Sequence, residues 1–473
     1  MQFFGPAEFS KSYKIPQLLL FLFFLLRPFP APRMRFIAHL AVVAGVVSTV
    51  FALPTDRHYK EHHDDHDHDH ENPMSKHYKV SYDPRPFYII NNMTESPLKK
   101  KLESCENGPF SVTGFSIGHR GGATLQFPEE TVENTIAGAR MGAGILECDV
   151  AFTSDRQLAC RHSQCDLHTT TNILLHPELA AKCTVPFTPA NATFPANALC
   201  CTSDITVDEY TSLCGKQDGF NASATNVEDY QNGTPNWRTD LYSTCGTVMT
   251  LDSYITLVES IPGHRNYTPE LKTPPSQVPM PFNGYTQEQY ARDLIDKFIQ
   301  RNISADRVWA QSFLPADVYQ WIAEYPDYGQ QAVYLDEDGD TPETLPTASS
   351  LERLSAIKAK GVNIIAPPFG YLLTTTADNK TIIPSTYAIS AKQAGLDIIP
   401  WTLERSGPLA DVRADEEYYY GFFAQGVSYD GQIYEVLDVL ARDVGIKAIF
   451  SDWSSTVSYY ANCFGLGYGG FQE

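Results

Sequence analysis

The sequence predicts an α/β fold, a (β/α)8 TIM barrel with a cysteine-rich insertion after the second strand. Short β-rich runs alternate with helical stretches along most of the chain, which implies a parallel sheet. About eight such repeats favour a closed barrel over an open sheet. One long interruption, rich in Cys, Thr and Asn, breaks the repeat early. The residues able to do chemistry cluster at or near the carboxyl ends of the candidate strands, where barrels of this class place their sites.

Candidate strands cover 116–119, 144–153, 158–162, 267–273, 308–313, 332–336, 362–367, 397–402 and 448–451. Between the first two, Thr131 is placed to cap a helix with Val132, Ile136, Ala139 and Ala143 on one face, stopped by the glycines at 142 and 144. Thr286 with Gln289 resembles a capping box, followed by Tyr290, Leu294, Ile295, Phe298 and Ile299 at helical spacing. Helices over 351–360 and 433–444 end at Gly361 and Gly445. The segment 163–265 is too long for a barrel loop, so residues 164–265 are expected to form a small disulfide-tied subdomain on the catalytic face. The barrel is expected to occupy 105–473, with Cys105 and Cys463 flanking it and available to tie its ends.

Composition narrows the setting. The chain has 473 residues and a net charge of −21, which argues against nucleic acid or an anionic membrane as the main partner. Of ten cysteines, six (Cys165, Cys183, Cys200, Cys201, Cys214, Cys245) fall within one stretch, without a Cys-x-x-Cys pair; disulfides are expected rather than zinc. Seven Asn-x-Ser/Thr sequons, at Asn92, Asn191, Asn221, Asn232, Asn266, Asn302 and Asn379, fit a secreted glycoprotein. Met34-Arg35, the apolar run 36–51 and Ala52 read as a signal peptide with its start at Met34, so that 1–52 is upstream sequence plus leader. No stable membrane insertion is expected after cleavage. Residues 53–104 are expected to be a histidine-rich disordered arm and linker; seven histidines lie within 58–77. That arm is expected to bind transition metals loosely and to stand apart from catalysis.

The site begins with His119-Arg120-Gly121, Glu147-Cys148-Asp149 and His162, which place two histidines, two carboxylates and an arginine inside 44 residues. On a strand, residues i and i+2 project to the same face. Glu147 and Asp149 therefore point together, and Cys148 points away, where it is expected as a buried thiol in the strand–helix layer. Two adjacent carboxylates repel each other unless a cation sits between them. A hard divalent ion, Ca2+ or Mg2+, takes such oxygen ligands. Two histidines nearby are suited to moving protons near neutral pH.

Gly118-His119-Arg120-Gly121, Phe127-Pro128-Glu129-Glu130-Thr131, Glu147-Cys148-Asp149, Arg161-His162 and Pro269-Glu270-Leu271-Lys272 occur in the order and spacing that resembles the glycerophosphodiester phosphodiesterase family. The likeness spans about 117 to 452 and includes Gln311-Ser312-Phe313, Trp401-Thr402 and Ser451-Asp452 at later strands. It implies the TIM barrel and the metal-dependent hydrolysis of small-molecule glycerophosphodiesters, derived from phospholipids, to an alcohol and glycerol phosphate. Glu270, on the next barrel strand, is expected to complete a metal set with Glu147 and Asp149. His119 and His162 are the expected acid/base pair, their roles unassigned. Arg120 is suited to fork onto phosphate oxygens, and Lys272 shares the inward face of Glu270. Trp401 either walls the pocket or belongs to the core. Two departures from the family stand out: Ser163 follows the second histidine where an Asp is usual, so that Asp166 or a loop group would have to orient the imidazole, and Glu130 stands where Asn is usual. Rival readings are a phospholipase D-like enzyme acting on lysolipids or sphingolipids, and a non-catalytic metal-binding glycoprotein.

Overall fold

The structure is a computed structural model that describes residues 80–239, 245–415 and 417–468. The expected start at Met34, the leader and the histidine tract lie outside the described residues. Eight parallel strands form the barrel: β1 (Thr113–Gly118), β2 (Ala143–Phe152), β3 (Asn266–Leu271), β4 (Gln311–Ser312), β5 (Val333–Leu335), β6 (Ile364–Ala366), β7 (Asp397–Ile398) and β8 (Ile449–Ser451). β8 pairs with β1. The ring closes between β7 and β8: Lys447 N donates to Ile398 O at 2.9 Å, Phe450 N to Pro400 O at 3.1 Å, and Leu403 bridges Ser451 in parallel register.

Five strands, β1, β2, β4, β7 and β8, carry an inward series with an apolar foot and a functional residue at its head. Ile117, Ile145, Trp309, Val333, Ile364, Ile399 and Phe450 pack together inside the barrel. Two residues on along the same faces come His119 after Ile117, Glu147 after Ile145, Gln311 after Trp309, Trp401 after Ile399 and Asp452 after Phe450. Period-two geometry therefore turns a hydrophobic floor into a functional rim at the carboxyl ends. The outer strand faces bury Leu146, Cys148, Val150 and Phe152 against the surrounding helices.

The helix Val132–Arg140 forms as expected, with the Thr131 side chain accepting from Asn134 N. Its buried face differs. Asn134, Thr135, Gly138 and Ala139 are buried, while Ile136 is exposed. The reason is a close approach: a Cβ on Gly138 would stand 2.0 Å from Gly121 O. Small and polar residues, not an apolar stripe, let this helix brace the turn that carries His119. The helix Gln287–Gln300 follows the apolar pattern, burying Tyr290, Leu294, Ile295 and Phe298, with Ile299 left outside. Gly445, in the left-handed conformation at φ 72°, ends the helical stretch after Val444.

Four expectations are corrected. The run 158–162 is not a barrel strand: Leu158–Cys160 turns back and pairs antiparallel with β2. That reversal brings Cys160 to Cys148, and the two form a disulfide, so Cys148 is not a thiol. The linker expected up to residue 104 is instead helical in its second part. Helices Arg85–Asn92 and Pro97–Glu103 place Ile89, Ile90, Met93 and Leu102 in the barrel's outer core, because their apolar residues recur at helical spacing. The insertion's packed unit ends before residue 265, since helix Leu251–Ser260 buries Leu251, Tyr254, Ile255 and Val258 in the barrel's own core.

The insertion has a separate core that includes Leu167, Ile173, Ile205, Tyr210, Leu213 and Tyr230. Three disulfides tie it, Cys165–Cys201, Cys183–Cys200 and Cys214–Cys245, and Cys105–Cys463 joins the ends of the barrel. Cross-links of this kind compensate for the small core of a loop-rich unit. No cysteine is free. Among the described residues, no helix is long and apolar enough to cross a membrane.

Candidate active site

Strands β2 and β3 position the acidic centre. Their register sets Asp149 opposite Glu270, and Glu147 lies one inward step below Asp149. Ligand atoms of Glu147, Asp149 and Glu270 lie within 4.8 Å of one another, and all three side chains are buried. Both carboxylate oxygens of Asp149 are buried without a hydrogen-bond partner. Burial, and after it the charges of Asp149 and Glu270, push the Glu147 carboxyl well above the usual range. Burial pushes Glu270 up to about 8, against the pull of Lys272. Orphaned buried oxygens in a mutually repelling trio are what a hard divalent cation resolves, so these residues fit such an ion. Two other acidic groupings fit one less well. Glu130 stands near Cys148 and Cys160, which are disulfide-bonded, and Glu129, near His162 and Asp166, is held by arginines.

The turn after β1 delivers His119 and Arg120. Arg120 has φ 52°, in the left-handed region that non-glycine residues rarely adopt. This conformation aims its backbone N–H at Glu147 Oε2, 2.6 Å away. Its carbonyl accepts from Glu130 N at 3.0 Å, clasping the Pro128–Thr131 turn. Such strain concentrates at functional sites, where surrounding contacts hold it. The Arg120 guanidinium is engaged: Nη1 donates to both Glu129 oxygens, at 2.9 and 3.0 Å, and Nε lies 3.8 Å from Asp149 Oδ2. Lys272 pairs with Glu270 and stands 5.8 Å over the Phe313 ring.

His119 Nδ1 meets Asp452 Oδ1 at 2.5 Å, and its Nε2 lies 3.9 Å from Glu147 Oε2. Burial draws the imidazole down to about 4, against the Asp452 carboxylate, so the ring is neutral near pH 7. A neutral ring bonded to a carboxylate carries its proton on Nδ1 and presents the Nε2 lone pair to the pocket. His162 is also held well below its ordinary value, by burial and then by Arg120, Lys272 and Arg405. Asp166, named from sequence as a possible orienting acid, comes within 4.8 Å of His162 and makes its hydrogen bond to Ser163 N, at 2.9 Å.

His119, Arg120, Glu147, His162, Glu270, Lys272 and Trp401 line one pocket at the carboxyl end of the barrel, joined by Gln311 and Tyr419. Asp149 sits beside it through the register with Glu270. Trp401 therefore walls the pocket. Its indole N–H donates to Ala366 O at 2.8 Å, and its ring stacks on Tyr418 and meets Phe313 edge-on.

Sequence reasoning missed an outer layer of ion pairs. Asp452 Oδ2 accepts from Arg405 at 2.9 Å and from Arg238 at 3.0 Å, and Arg405 reaches Glu129 at 3.4 Å. Burial alone would raise Glu129, but Arg120 and Arg405 outweigh it and hold the carboxyl at about 2. The sequence marks Asp452 at the end of its strand without its partners, and Arg405, which follows β7, holds a position that could have flagged it too. Arg238 lies in the insertion, with no motif to mark it. Asn134 likewise joins two motif turns: its Oδ1 accepts from Ala123 N at 2.8 Å, and its amide donates to Phe127 O and Pro128 O.

The family model for the glycerophosphoryl diester phosphodiesterase family matches residues 119–454. A protein of Arthroderma benhamiae called "Extracellular protein" is 48% identical over 251 residues, which cover 53% of this chain and all of that one. A solved structure assigned as a glycerophosphoryl diester phosphodiesterase of Silicibacter pomeroyi is similar at 17% identity and TM-score 0.47, covering 76% of this chain and 96% of that one. An Oleispira antarctica phosphodiesterase in complex with the product sn-glycerol-3-phosphate is similar at 15% identity and TM-score 0.40, over 72% and 94% of the two chains.

Proposed function

The chain belongs to the glycerophosphoryl diester phosphodiesterase family, and on that premise we propose that it hydrolyses phospholipid-derived glycerophosphodiesters to an alcohol and sn-glycerol 3-phosphate with the help of one divalent cation, Ca2+ or Mg2+. The observation that carries the reading is the pair of unpartnered, buried Asp149 oxygens between Glu147 and Glu270. Glu147, Asp149 and Glu270 would hold the ion. Bound there, it would supply positive charge where the phosphoryl oxygens gain negative charge.

The chain's own groups do the rest. Lys272 and the Nη2 end of Arg120, which no hydrogen bond occupies among the described residues, face the phosphate. His119, with Nε2 unprotonated, accepts the proton of the attacking hydroxyl, which is the substrate's free glycerol hydroxyl in the family scheme. His162, held neutral in the substrate-free site by burial and the nearby cations, takes up a proton as the anionic phosphodiester binds and passes it to the departing alcohol oxygen. Their roles then reverse as water opens the cyclic phosphate. His119 is assigned as the first base because its Nδ1 is committed to Asp452 Oδ1, which leaves Nε2 as the acceptor on the side of the acidic trio. Trp401, Phe313 and Tyr419 shield this exchange from bulk water.

A secreted, glycosylated protein is proposed from the complete set of disulfides, the leader-like amino terminus, the sequons and the likeness to a protein named as extracellular. Purified protein incubated with glycerophosphocholine, glycerophosphoinositol and glycerophosphoethanolamine, with and without a chelator, tests the reading. Release of glycerol phosphate from at least one, abolished by the chelator, is expected. No turnover of any of them with Ca2+ or Mg2+ present would overturn it.

A further inference from the structure

Asp452 is where the insertion meets the catalytic histidine. Its side chain is fully buried. Oδ1 is given to His119, and Oδ2 receives two guanidinium groups, Arg405 from the loop after β7 and Arg238 from the insertion. One arginine suffices to neutralise one carboxylate, and Arg405 does so while also reaching Glu129. Arg238 is therefore surplus to charge balance. It is nonetheless sunk to 4% side-chain exposure. Its Nε finds no hydrogen-bond partner there. Burial and the nearby Arg405 lower its pKa, so its charge is held at a cost to the fold.

The segment that delivers it is tied down. A turn bonds Arg238 N to Pro235 O at 3.0 Å, and Thr239 N donates to Leu125 O at 2.9 Å, on the loop that follows the His119 turn. The Cys214–Cys245 disulfide encloses the segment. With donors arriving at Oδ2 from two elements, the Asp452 carboxylate cannot swing or exchange its oxygens. Oδ1 stays presented to Nδ1 of His119, and the ring stays turned so that Nε2 faces the acidic trio.

We propose that Arg238 is a positioning residue for catalysis: the cysteine-rich insertion supplies it to lock the Asp452 carboxylate, and through it the orientation and tautomer of His119. The proposal rests on the hydrolase reading above. Arg238 does not line the pocket of His119, Lys272 and Trp401, so its contribution belongs to turnover and not to substrate affinity. Productive geometry needs the base held within roughly 0.5 Å, and a misplacement of about 1 Å costs on the order of 10²-fold.

Arg238→Gln and Arg238→Lys in the full chain test it. Arg238→Gln is expected to lower kcat about 10- to 100-fold with KM unchanged. Arg238→Lys, which keeps a charged donor, is expected to recover most of that loss at the same melting temperature. In 15N-imidazole-labelled protein, the resonances of His119 are expected to show a single Nδ1–H tautomer in the wild type and a mixture in Arg238→Gln. An Arg238→Gln protein with wild-type kcat overturns the inference. So does a loss confined to KM, or one that follows a lowered melting temperature while the His119 spectrum stays as in the wild type. Wild-type protein inactive on every glycerophosphodiester overturns the hydrolase reading and this inference with it, whereas active wild type beside an unimpaired Arg238→Gln overturns this inference alone.

Discussion

Asp149 and Glu270 face each other across the parallel register of β2 and β3, and both oxygens of Asp149 are buried without a partner. Everything else at the rim answers that concentration of negative charge. The Arg120 amide binds Glu147, Lys272 pairs with Glu270, and Gln311 donates to Glu147 at 2.7 Å. The Asp149 carboxylate takes no hydrogen bond from any of them, and the Arg120 guanidinium approaches Oδ2 only to 3.8 Å.

The histidine pair is expected to act in chemistry and not in folding. His119→Ala and His162→Ala should each cost roughly 10²-fold or more in rate. A melting temperature that collapses along with the rate would make the roles structural instead.

Glu129 ties acid stability to the site. Its folded pKa, about 2, lies below the ordinary 4.5, so its stabilising effect is fully present above pH 4.5 and is lost as pH falls through about 2. Glu129→Gln should lower the melting temperature at neutral pH and flatten its fall over that acid window. An unchanged melting curve at both ends would remove Glu129 from the network.

Gly138 is expected to accept no side chain. A Cβ there meets the Gly121 carbonyl at 2.0 Å, a backbone atom that cannot step aside cheaply. Gly138→Ala should cost about 1–3 kcal/mol in urea unfolding. It should also reduce turnover, because the displaced turn carries His119 and Arg120. Wild-type stability and rate would contradict the bracing role of this helix.

Non-reducing peptide mapping should recover Cys148 linked to Cys160, and reduction should add ten hydrogens to the intact mass, since no cysteine is free. An alkylated Cys148 in unreduced protein would contradict this pairing.

The parts of this molecule legible in its sequence are those governed by local periodicity. Period-two alternation placed Glu147 and Asp149 on one face, and motif order brought His119, His162, Glu270, Lys272 and Trp401 to the same rim. What escaped depends on distant partners. Asp452 reaches His119 across 333 residues, and Arg238 reaches Asp452 across 214. The Cys148–Cys160 bond required knowing that the chain reverses after β2, where an apolar run looks the same whether it continues a barrel or folds back. Ile136 misled for a related reason: an amphipathic pattern cannot report that a backbone turn, and not an apolar core, lies beneath the helix.

The most direct test of the central claim is calorimetric titration of Ca2+ and of Mg2+ into metal-free wild-type protein and Asp149→Asn, with glycerophosphodiester turnover followed on the same samples. One ion should bind the wild type, with turnover appearing in proportion to occupancy, while folded Asp149→Asn should lose both. Wild-type turnover that persists in excess chelator, or an Asp149→Asn protein that binds the ion and turns over like the wild type, would contradict the assignment of this acidic trio as the metal centre.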